Sequence, residues 1–405
     1  MKMRFAWTEV KRMIKILIGG SPCTKWSIAQ KNGRETLPEG VGWELFENYR
    51  IAKEKFQPDI FLYENNKSAA KPIKDAIYSA LGGGKDSSVR LTHINSALVS
   101  AQHRQRFYVT NFGDIEQPED RGILLRDVLE TDWLTDRDKT RNTIAYYWLE
   151  SVVPVNTTAD GKARTVKAQY HNSGIANFVT NGGYPAAAVA MPIRIGTIES
   201  GVKNKSHDSK QYRVYSPDGK STTLCGQGGG VGAKTGLYAV PINGAHKEFP
   251  VYEVKDGLIT IKDKQYPIKL DDGYYLIRKL TPLEGERLQT LPDGYTKGVS
   301  DTQRYRAIGN GWTAEVIIHI LNHALKDVSR DEELVVLSMY DGIATGRYCL
   351  DKMGFTNIKY YAYEIDPYPI KIAMSNYPDI IQCGGAFRVR SDNWKIKMDG
   401  GNNNA

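Results

Sequence analysis

The chain has 405 residues, 41% of them apolar and 25% charged, with a formal net charge of +8 at pH 7. That length holds two domains, or one with a large insertion, and the composition is that of an ordinary soluble globular protein. No window approaches the ~18 consecutive apolar residues of a membrane span. Met1 to Trp7 contains no signal-peptide core, so a cytoplasmic protein is expected. The cysteines at 23, 225, 349 and 383 form no CxxC pair, and the seven histidines show no HExxH or HxH pattern. A disulfide framework is therefore not implied, and no metal site is expected. The positive charge is concentrated: 15 Lys/Arg stand against 8 Asp/Glu between residues 160 and 270. A localised basic surface suits a polyanion, although a solvated lysine-rich face gives the same count.

Residues 14 to 112 read as α/β. The apolar run Ile14 to Ile18 predicts a strand that ends on Gly19-Gly20-Ser21-Pro22-Cys23. This places a thiol on a tight turn at the rim of a sheet, where ligands bind. Trp43, Leu45, Phe46, Tyr49, Ile51 and Phe56 recur at roughly helical spacing from Gly42 to Phe56, with Pro58 closing the helix. A second strand, Ile60 to Tyr63, ends on the carboxylate of Glu64, and Gln102-x-Arg104-x-Arg106 leads into a third, Phe107 to Val109.

From about 130 to 275 Gly, Asn, Ser, Thr and Tyr dominate. Gln211 to Tyr215 reads as a strand, Ser216-Pro217-Asp218-Gly219 as a turn, and Leu258 to Ile261 as part of a hairpin. A smaller, β-rich, basic domain is expected here. The run Gly226 to Thr235 resembles a phosphate loop but fails as one, because Ala233 stands before Lys234 where a Walker motif requires glycine. Helices return from 278, one with Pro282 in its first turn and one from Thr313 to Leu325.

Leu334 to Met339 then predicts a buried strand. It is followed by the turn Asp341-Gly342-Ile343-Ala344-Thr345-Gly346, a helix, and the strand Tyr360 to Tyr363 ending on Glu364, 22 residues after Gly342. Strand, glycine turn, helix and acid-ended strand form the start of a Rossmann-type nucleotide site, with the acid accepting from ribose hydroxyls. The turn has Gly342 and Gly346 spaced GxxxG, not GxGxxG. That spacing points to an adenosyl ligand without a pyrophosphate.

Together these segments resemble the C5-cytosine DNA methyltransferase family. Gly19 to Cys23 matches its catalytic-loop motif, Glu64-Asn65-Asn66 its Glu-Asn-Val motif and Gln102 to Arg106 its QxRxR motif. Arg278 to Glu284, with Arg287-Leu288-Gln289 and Leu291-Pro292-Asp293, matches the structural motif after the recognition region. Gly309-Asn310 matches the last motif, and Tyr340 to Gly346 and Tyr363 to Asp366 match the cofactor motifs. Met339 to Gly346 and Ser100 to Arg104 are also similar to the animal de novo methyltransferases. In the ordinary family the cofactor motifs come first; here they come last, from 334 to 390, so the resemblance implies a circular permutation. Joined or exposed termini make such a rearrangement physically tolerable.

The resemblance implies an α/β, Rossmann-like S-adenosylmethionine-dependent methyltransferase sheet, circularly permuted, with a smaller β-rich target-recognition domain. Residues 1–128 would form the catalytic half, 129–276 the recognition domain, and 277–405 the remainder with the cofactor motifs. It implies transfer of a methyl group from S-adenosylmethionine to C5 of a cytosine flipped out of double-stranded DNA, leaving S-adenosylhomocysteine. The protein would be a DNA-associated monomer, with no metal, in the cytoplasm of a bacterial or phage-infected cell.

For the chemistry, Cys23 would add to C6 of the base and Glu64 would hold N3 as a protonated or proton-sharing carboxyl. Arg104 would bond the base O2 and steady Glu64, while Arg106 would pack against the site or a phosphate. For the cofactor, Pro22, Tyr340, Asp341, Gly342, Ile343, Thr345, Gly346, Glu364, Ile365 and Gly385 would line the site, with Asn310 and Trp312 closing over the methionine portion. For DNA, Lys25, Trp26 and Ser27 would close on the target. Gln102, as loop support, Arg213, Thr222, Thr223, Gln227 and Lys234 would complete the contact surface, with salt-sensitive binding.

Two positions depart from the family: Asn66 stands where valine is usual, a tolerable exchange, and the second lies after the last strand. Gly384-Gly385 stands where Gly-Asp is usual, and the lost bond to the adenine amino group costs about 1–2 kcal/mol. A catalytically weak or inactive DNA-binding relative is an alternative on that ground, and an RNA cytosine methyltransferase shares the chemistry. A nicotinamide oxidoreductase would need the missing GxGxxG.

Overall fold

A computed structural model describes residues 13–28, 33–130, 149–152, 190–198, 210–226, 235–244 and 251–394. In chain order the first part contains β1 (Ile14–Gly19), α1 (Gly40–Phe56), β2 (Ile60–Asn66), α2 (Lys71–Ala80), β3 (Arg90–Asn95) and β4 (Gln105–Thr110). The middle part contains β5 (Leu149–Val152), β6 (Arg194–Ile198), β7 (Arg213–Tyr215), β8 (Leu237–Ile242), β9 (Val251–Lys255), β10 (Leu258–Ile261), β11 (Lys264–Pro267) and β12 (Gly273–Arg278). The last part contains α3 (Pro282–Leu288), α4 (Asp301–Asn310), α5 (Ala314–Leu325), β13 (Leu334–Met339), α6 (Thr345–Lys352), β14 (Ile358–Tyr363), α7 (Pro367–Asn376) and β15 (Ile381–Gly384).

Two sheets result. The first has the order β15-β14-β13-β1-β2-β4-β3 and so joins the two ends of the chain. Its first five strands are parallel, and β4 runs antiparallel to both β2 and β3. β1 leads through α1 to β2 on one side, and β13 leads through α6 to β14 on the other. The crevice beyond the β1 and β13 carboxyl ends is thus a topological switch point, where open α/β sheets bind ligands.

Both faces of this sheet are covered, so its strands are continuously apolar rather than alternating. Ile16, Ile18 and Val336 pack with Ile317, Ile320 and Leu321 of α5, whereas Leu17, Val335 and Leu337 pack with Phe46, Tyr49 and Ala52 of α1. Fully burying each such side chain contributes about 1.5–3 kcal/mol. Gly346 belongs to this packing: a Cβ there would sit 2.2 Å from Ile18 Cδ1 and 2.9 Å from Tyr360 Oη.

The second sheet has the order β11-β10-β9-β12-β8-β7-β6-β5 and its own core, around Val214, Leu237, Tyr252, Ile259 and Ile277. No helix among the described residues is long and apolar enough to cross a membrane.

The predicted elements are present, but with other bounds: of the expected strand Gln211 to Tyr215 only Arg213–Tyr215 is extended, Lys210–Tyr212 forming a 3₁₀ turn. β2 does not stop at Tyr63 but continues to Asn66, because Glu64, Asn65 and Asn66 pair with Tyr108, Phe107 and Arg106 of β4. Glu64 therefore lies within a strand rather than beyond it. α1 ends at Phe56 as expected, but begins at Gly40 rather than Gly42; Gln57, between the helix and Pro58, adopts a left-handed conformation, φ 48°, and its N–H bonds Lys53 O. The sequence reading does not anticipate α2, β3 or α7. β3 alternates polar and apolar residues weakly at the sheet edge, and α2 shows only two buried side chains, Ile73 and Ile77.

At the return from the second sheet, Arg278 and Glu284 form an ion pair whose side chains are both fully buried. The guanidinium meets both carboxylate oxygens, at 2.8 and 2.7 Å. The carboxylate also accepts the N–H groups of Thr281 at 2.7 Å and Glu130 at 2.9 Å. Thr281 in turn accepts from Glu284 N, a capping box with Pro282 in the first turn. Removing one partner of such a pair strands the other charge without water. Glu284→Ala should lower unfolding stability by about 3–5 kcal/mol. The paired replacement Arg278→Met with Glu284→Leu should cost less, as read from the denaturant midpoints of both variants.

Candidate active site

The site is assembled where β1, β2 and β13 end together. Gly19 and Gly20 permit it through close approach on either side. A Cβ at Gly19 would meet Met339 O at 2.5 Å, and one at Gly20 would meet Glu64 O at 2.5 Å and its Oε2 at 3.0 Å. The loop after β1 therefore runs directly against the strand that carries the carboxylate. Asn65 Nδ2 donates to Ser21 O at 2.9 Å, and the Ser21 and Tyr63 hydroxyls are 2.8 Å apart. Trp26 N and Ser27 N both bond Cys23 O, at 3.1 and 3.0 Å, which folds the chain into a turn beyond the cysteine.

Glu64 is held from two directions. Arg106 Nε lies 2.8 Å from its Oε1, and Trp312 Nε1 donates to its Oε2 at 3.0 Å. Both charged side chains are nearly buried, with 10% and 12% exposure. Cys23 is half-buried. Burial pushes its thiol above the ordinary 9.0; Arg106 opposes this, Glu64 adds to it and Arg104 opposes it. A raised value leaves the free thiol protonated at neutral pH.

The contact with Glu64 falls to the other arginine than expected. Arg106, not Arg104, steadies Glu64. Arg104 is 3% exposed and donates to three backbone carbonyls: Leu224 O at 3.2 Å, Gly309 O at 3.2 Å and Gly311 O at 2.8 Å. Burial, with the cation of Arg106 next, pushes it down to about 10, so it stays charged near neutrality.

Across the crevice, Tyr340 and Ala344 are non-glycine residues with positive φ, 59° and 60°, and Gly342 has φ 64°. This tight turn presents Gly342 N to Glu364 Oε2 at 2.9 Å, while Glu364 Oε1 accepts from Ile365 N and Asp366 N at 2.8 and 2.9 Å. Tyr340 is anchored to α1, donating to Leu45 O at 2.8 Å. Asp341 Oδ1 accepts from the Tyr360 hydroxyl at 2.7 Å, but its Oδ2 is buried with no hydrogen-bond partner. Burial pushes this carboxyl up to about 6. Ile343 and Thr345 are buried, Ile365 is 80% exposed, and Pro22 is exposed at the mouth. Asn310 points at the root of the 226–235 run: a Cβ on Gly226 would lie 2.1 Å from its Oδ1.

Several expected DNA contacts are placed elsewhere. Trp26 is fully buried, its Nε1 3.2 Å from Glu35 Oε2, and no surface is left for a duplex. Gln102 is fully buried and supports a loop, donating to Leu288 O and accepting from Leu224 N, both at 3.2 Å. The Thr222 hydroxyl is taken up by Thr235 O, and that of Thr223 by His103 O at 2.6 Å. Lys25 and Ser27 are half-buried beside the cysteine, and Arg213 lies on β7. Gln227 and Lys234 lie outside the described residues. Sequence reasoning gives no role to Ser21, Tyr63 or Asn65, although the Asn beside Glu64 was a visible signal.

A parallel sheet with a switch-point crevice, a thiol loop, a clamped carboxylate and a nucleotide-type turn define a Rossmann-like methyltransferase. The family model for C-5 cytosine-specific DNA methylase matches residues 4–326, and the chain belongs to that family. A DNA (cytosine-5)-methyltransferase of rice, DRM2, is 34% identical over 79 residues, 19% of this chain and 13% of its own length. The orphan methyltransferase M.SPBetaI of Bacillus phage SPbeta is 26% identical over 169 residues, 34% of each chain. The match thus spans 13% and 34% of the length of these curated relatives. Among solved structures, the Entamoeba histolytica methyltransferase EhMeth covers 78% of this chain and 78% of its own at 12% identity, with a TM-score of 0.41.

The raised Cys23 thiol gives a direct expectation. Its alkylation by iodoacetamide, followed by peptide mapping, should be slow at pH 7 and still be rising above pH 9. Fast, pH-independent labelling near pH 7 would show a standing thiolate instead.

Proposed function

We propose that the chain is an active DNA cytosine-C5 methyltransferase using S-adenosylmethionine. The observation that carries this reading is the convergence of Cys23, Glu64 and Arg106 at the switch-point crevice, beside the Tyr340–Ala344 turn that Glu364 holds. A base in that crevice would receive Cys23 Sγ at C6. The thiol proton passes to solvent as the S–C6 bond forms, and the π pair of the C5–C6 bond becomes available at C5. Glu64 would hold N3 and Arg106 would offer its remaining N–H groups to O2, where negative charge develops. After C5 takes the methyl group, its proton passes to a solvent base, the electrons of that C–H bond re-form the C5–C6 double bond, and Sγ leaves as a thiolate that regains a proton from solvent. A target paired in a duplex must first be extruded.

The chain's residues fit the cofactor. The buried, unpartnered Asp341 Oδ2 suits an ammonium group, and the free lone pairs of Glu364 suit ribose hydroxyls. The cofactor supplies an electrophilic methyl on a sulfonium. Asn310 and Trp312 would border its methionine end. A cation beside Asp341 is favoured only by the ionised carboxylate, and that carboxyl sits near 6 in the free protein. Affinity for S-adenosylhomocysteine should therefore fall as pH drops from 7.5 to 5.5, and Asp341→Asn should flatten the profile; calorimetric titration reads both.

We also read the chain order as a circular permutation, with residues 1–128 and 277–405 making one methyltransferase domain. Support comes from β13–β15 joining the sheet beside β1 and from a family match that ends at 326, before those strands. Residues 129–276, with the basic second sheet, would contact double-stranded DNA, and the protein would act as a monomer.

The deciding experiment is base-resolution methylation sequencing of DNA from a methylation-free host expressing the chain. Wild type should give C5-methylated cytosines in one short context, and Cys23→Ala none. Glu64→Gln should lower the rate about 10²–10⁴-fold, the usual range for loss of a positioned proton donor. Soluble wild-type protein that leaves the DNA unmethylated would overturn the active-enzyme reading in favour of a DNA-binding relative.

A further inference from the structure

The strand that carries Glu64 also grips the cysteine turn on both sides. Along β2, Tyr63 and Asn65 project to one face of the sheet and Glu64 and Asn66 to the other, because successive strand side chains alternate. Tyr63 is fully buried, its ring packed edge-on against Phe46 and Tyr49 of α1, with centroids 5.4 and 5.0 Å away. Its hydroxyl is 2.8 Å from Ser21 Oγ, and Asn65 Nδ2 donates to Tyr63 Oη at 3.1 Å and to Ser21 O at 2.9 Å. Asn66 N donates to Asn65 Oδ1 at 2.8 Å, which fixes the orientation of that amide. With Asn65 donating to Tyr63 Oη, the tyrosine's own proton is left for Ser21 Oγ. On the opposite face Asn66 Nδ2 lies 3.4 Å from Ser27 Oγ. Arg34 completes the far side, donating to Trp26 O at 3.2 Å and to Ser68 O at 2.6 Å. Cys23 sits between the two grips.

We propose that Tyr63 is a positioning residue for the methyl transfer: its hydroxyl holds Ser21 and thereby fixes the Cys23 thiol relative to Glu64. The inference rests on the methyltransferase reading above. Its physical basis is geometric. The tyrosine ring is wedged among aromatic side chains, so its hydroxyl is a fixed point. Ser21, Tyr63 and Asn65 are all buried, where water does not compete for their bonds. Pro22, between Ser21 and Cys23, has its φ fixed near about −65°. A shift of Ser21 is therefore passed on to the thiol rather than absorbed between them. The grip lies on the α1 face, away from Glu64, Arg106 and Trp312, and takes no space from a base. Tyr63 touches no reacting atom, yet a misplacement of about 1 Å is enough to cost about 100-fold in rate.

The test compares Tyr63→Phe, Ser21→Ala and the double variant with wild type. Ser21→Ala removes the same bond without touching the aromatic cluster. The first readout is iodoacetamide labelling of Cys23 at pH 7, followed by peptide mapping. Burial is the largest cause of the raised thiol, so a loosened turn moves its pH midpoint down. Labelling in Tyr63→Phe should rise about threefold or more. Cys349, fully buried in α6, should stay unlabelled and so report an intact fold. The second readout is single-turnover methylation of sheared, unmethylated genomic duplex at saturating S-adenosylmethionine. Tyr63→Phe should slow it about 10- to 100-fold and leave the dissociation constant of S-adenosylhomocysteine within about twofold. The double variant should be no slower than the slower single one, because both changes break one bond. A thiol that reacts faster with a reagent while methyl transfer slows has lost its position, not its fold. Unchanged labelling and rate in both single variants, or fully multiplicative losses in the double variant, would overturn the role and leave the methyltransferase reading intact. Wild type that transfers no methyl, with the thiol still released in Tyr63→Phe, would overturn that reading and the role with it, leaving only the grip on the turn.

Discussion

The parallel pairing of β1 with β13 is the constraint on which the site depends. Six residues of one end of the chain, Ile14 to Gly19, lie in register with six of the other, Leu334 to Met339. Both strands end at the same level, so the cysteine loop and the Tyr340–Ala344 turn emerge side by side. Neither is a site alone: the first carries a thiol with no partner for an adenosyl group, and the second a nucleotide turn with no reacting side chain. Sheet formation between segments some 300 residues apart closes a long loop, which costs little extra for each doubling of length. The registered hydrogen bonds and the apolar faces buried on both sides offset that cost.

Within the crevice the electrostatics are crowded and nearly balanced. A thiol, a carboxylate and two guanidiniums share a volume from which water is largely removed. At an effective dielectric of about 20, unit charges 4 Å apart interact by about 4 kcal/mol. At Cys23 and Arg104 burial is the largest influence, and the charges of their neighbours follow it. The Glu64–Arg106 pair is internally neutral, and Arg104 faces only neutral carbonyls. Burial then decides the thiol's state and keeps it protonated. Such a site is quiet until a substrate fills it. On the proposed reading, a base arriving between Cys23 and Glu64 would supply both an electrophilic carbon and an acceptor for displaced charge, which would tie reactivity to occupancy.

Much of this was legible in the sequence because the motifs are short and local. Glycine pairs, a cysteine after a strand and an acid after the next strand are set by a few contiguous residues. The division of labour between Arg104 and Arg106 was not legible, since two guanidiniums in an RxR pattern are chemically identical. Their difference is made by partners far along the chain: Leu224, Gly309 and Gly311 for one and Glu64 for the other. Trp26 was misjudged for a related reason. It follows the cysteine and looks available, but Gly42 gives it room: a Cβ there would stand 2.4 Å from its indole nitrogen. A glycine at the start of a helix gives no hint that it faces a tryptophan sixteen residues earlier.

The departure at Gly385 can be placed physically. Its backbone is ordinary, φ −68° and ψ 147°, and a Cβ there would make only van der Waals contact with Ile365 Cδ1 at 3.6 Å. Neither strain nor crowding demands glycine, so an aspartate would be sterically acceptable and its absence is a chemical difference. That end of the crevice is apolar and open, with Ile365 80% and Phe387 46% exposed. The other end contains the unpartnered oxygen of Asp341 and the clamped carboxylate of Glu364. Recognition of an adenosyl ligand would then be weighted towards its ammonium and ribose, with the base held chiefly by apolar contact. A hydrogen bond to the adenine contributes about 1 kcal/mol net, whereas one to a charged group contributes about 1.5–3 kcal/mol. By that comparison the chain would forgo the smaller contribution and keep the larger ones.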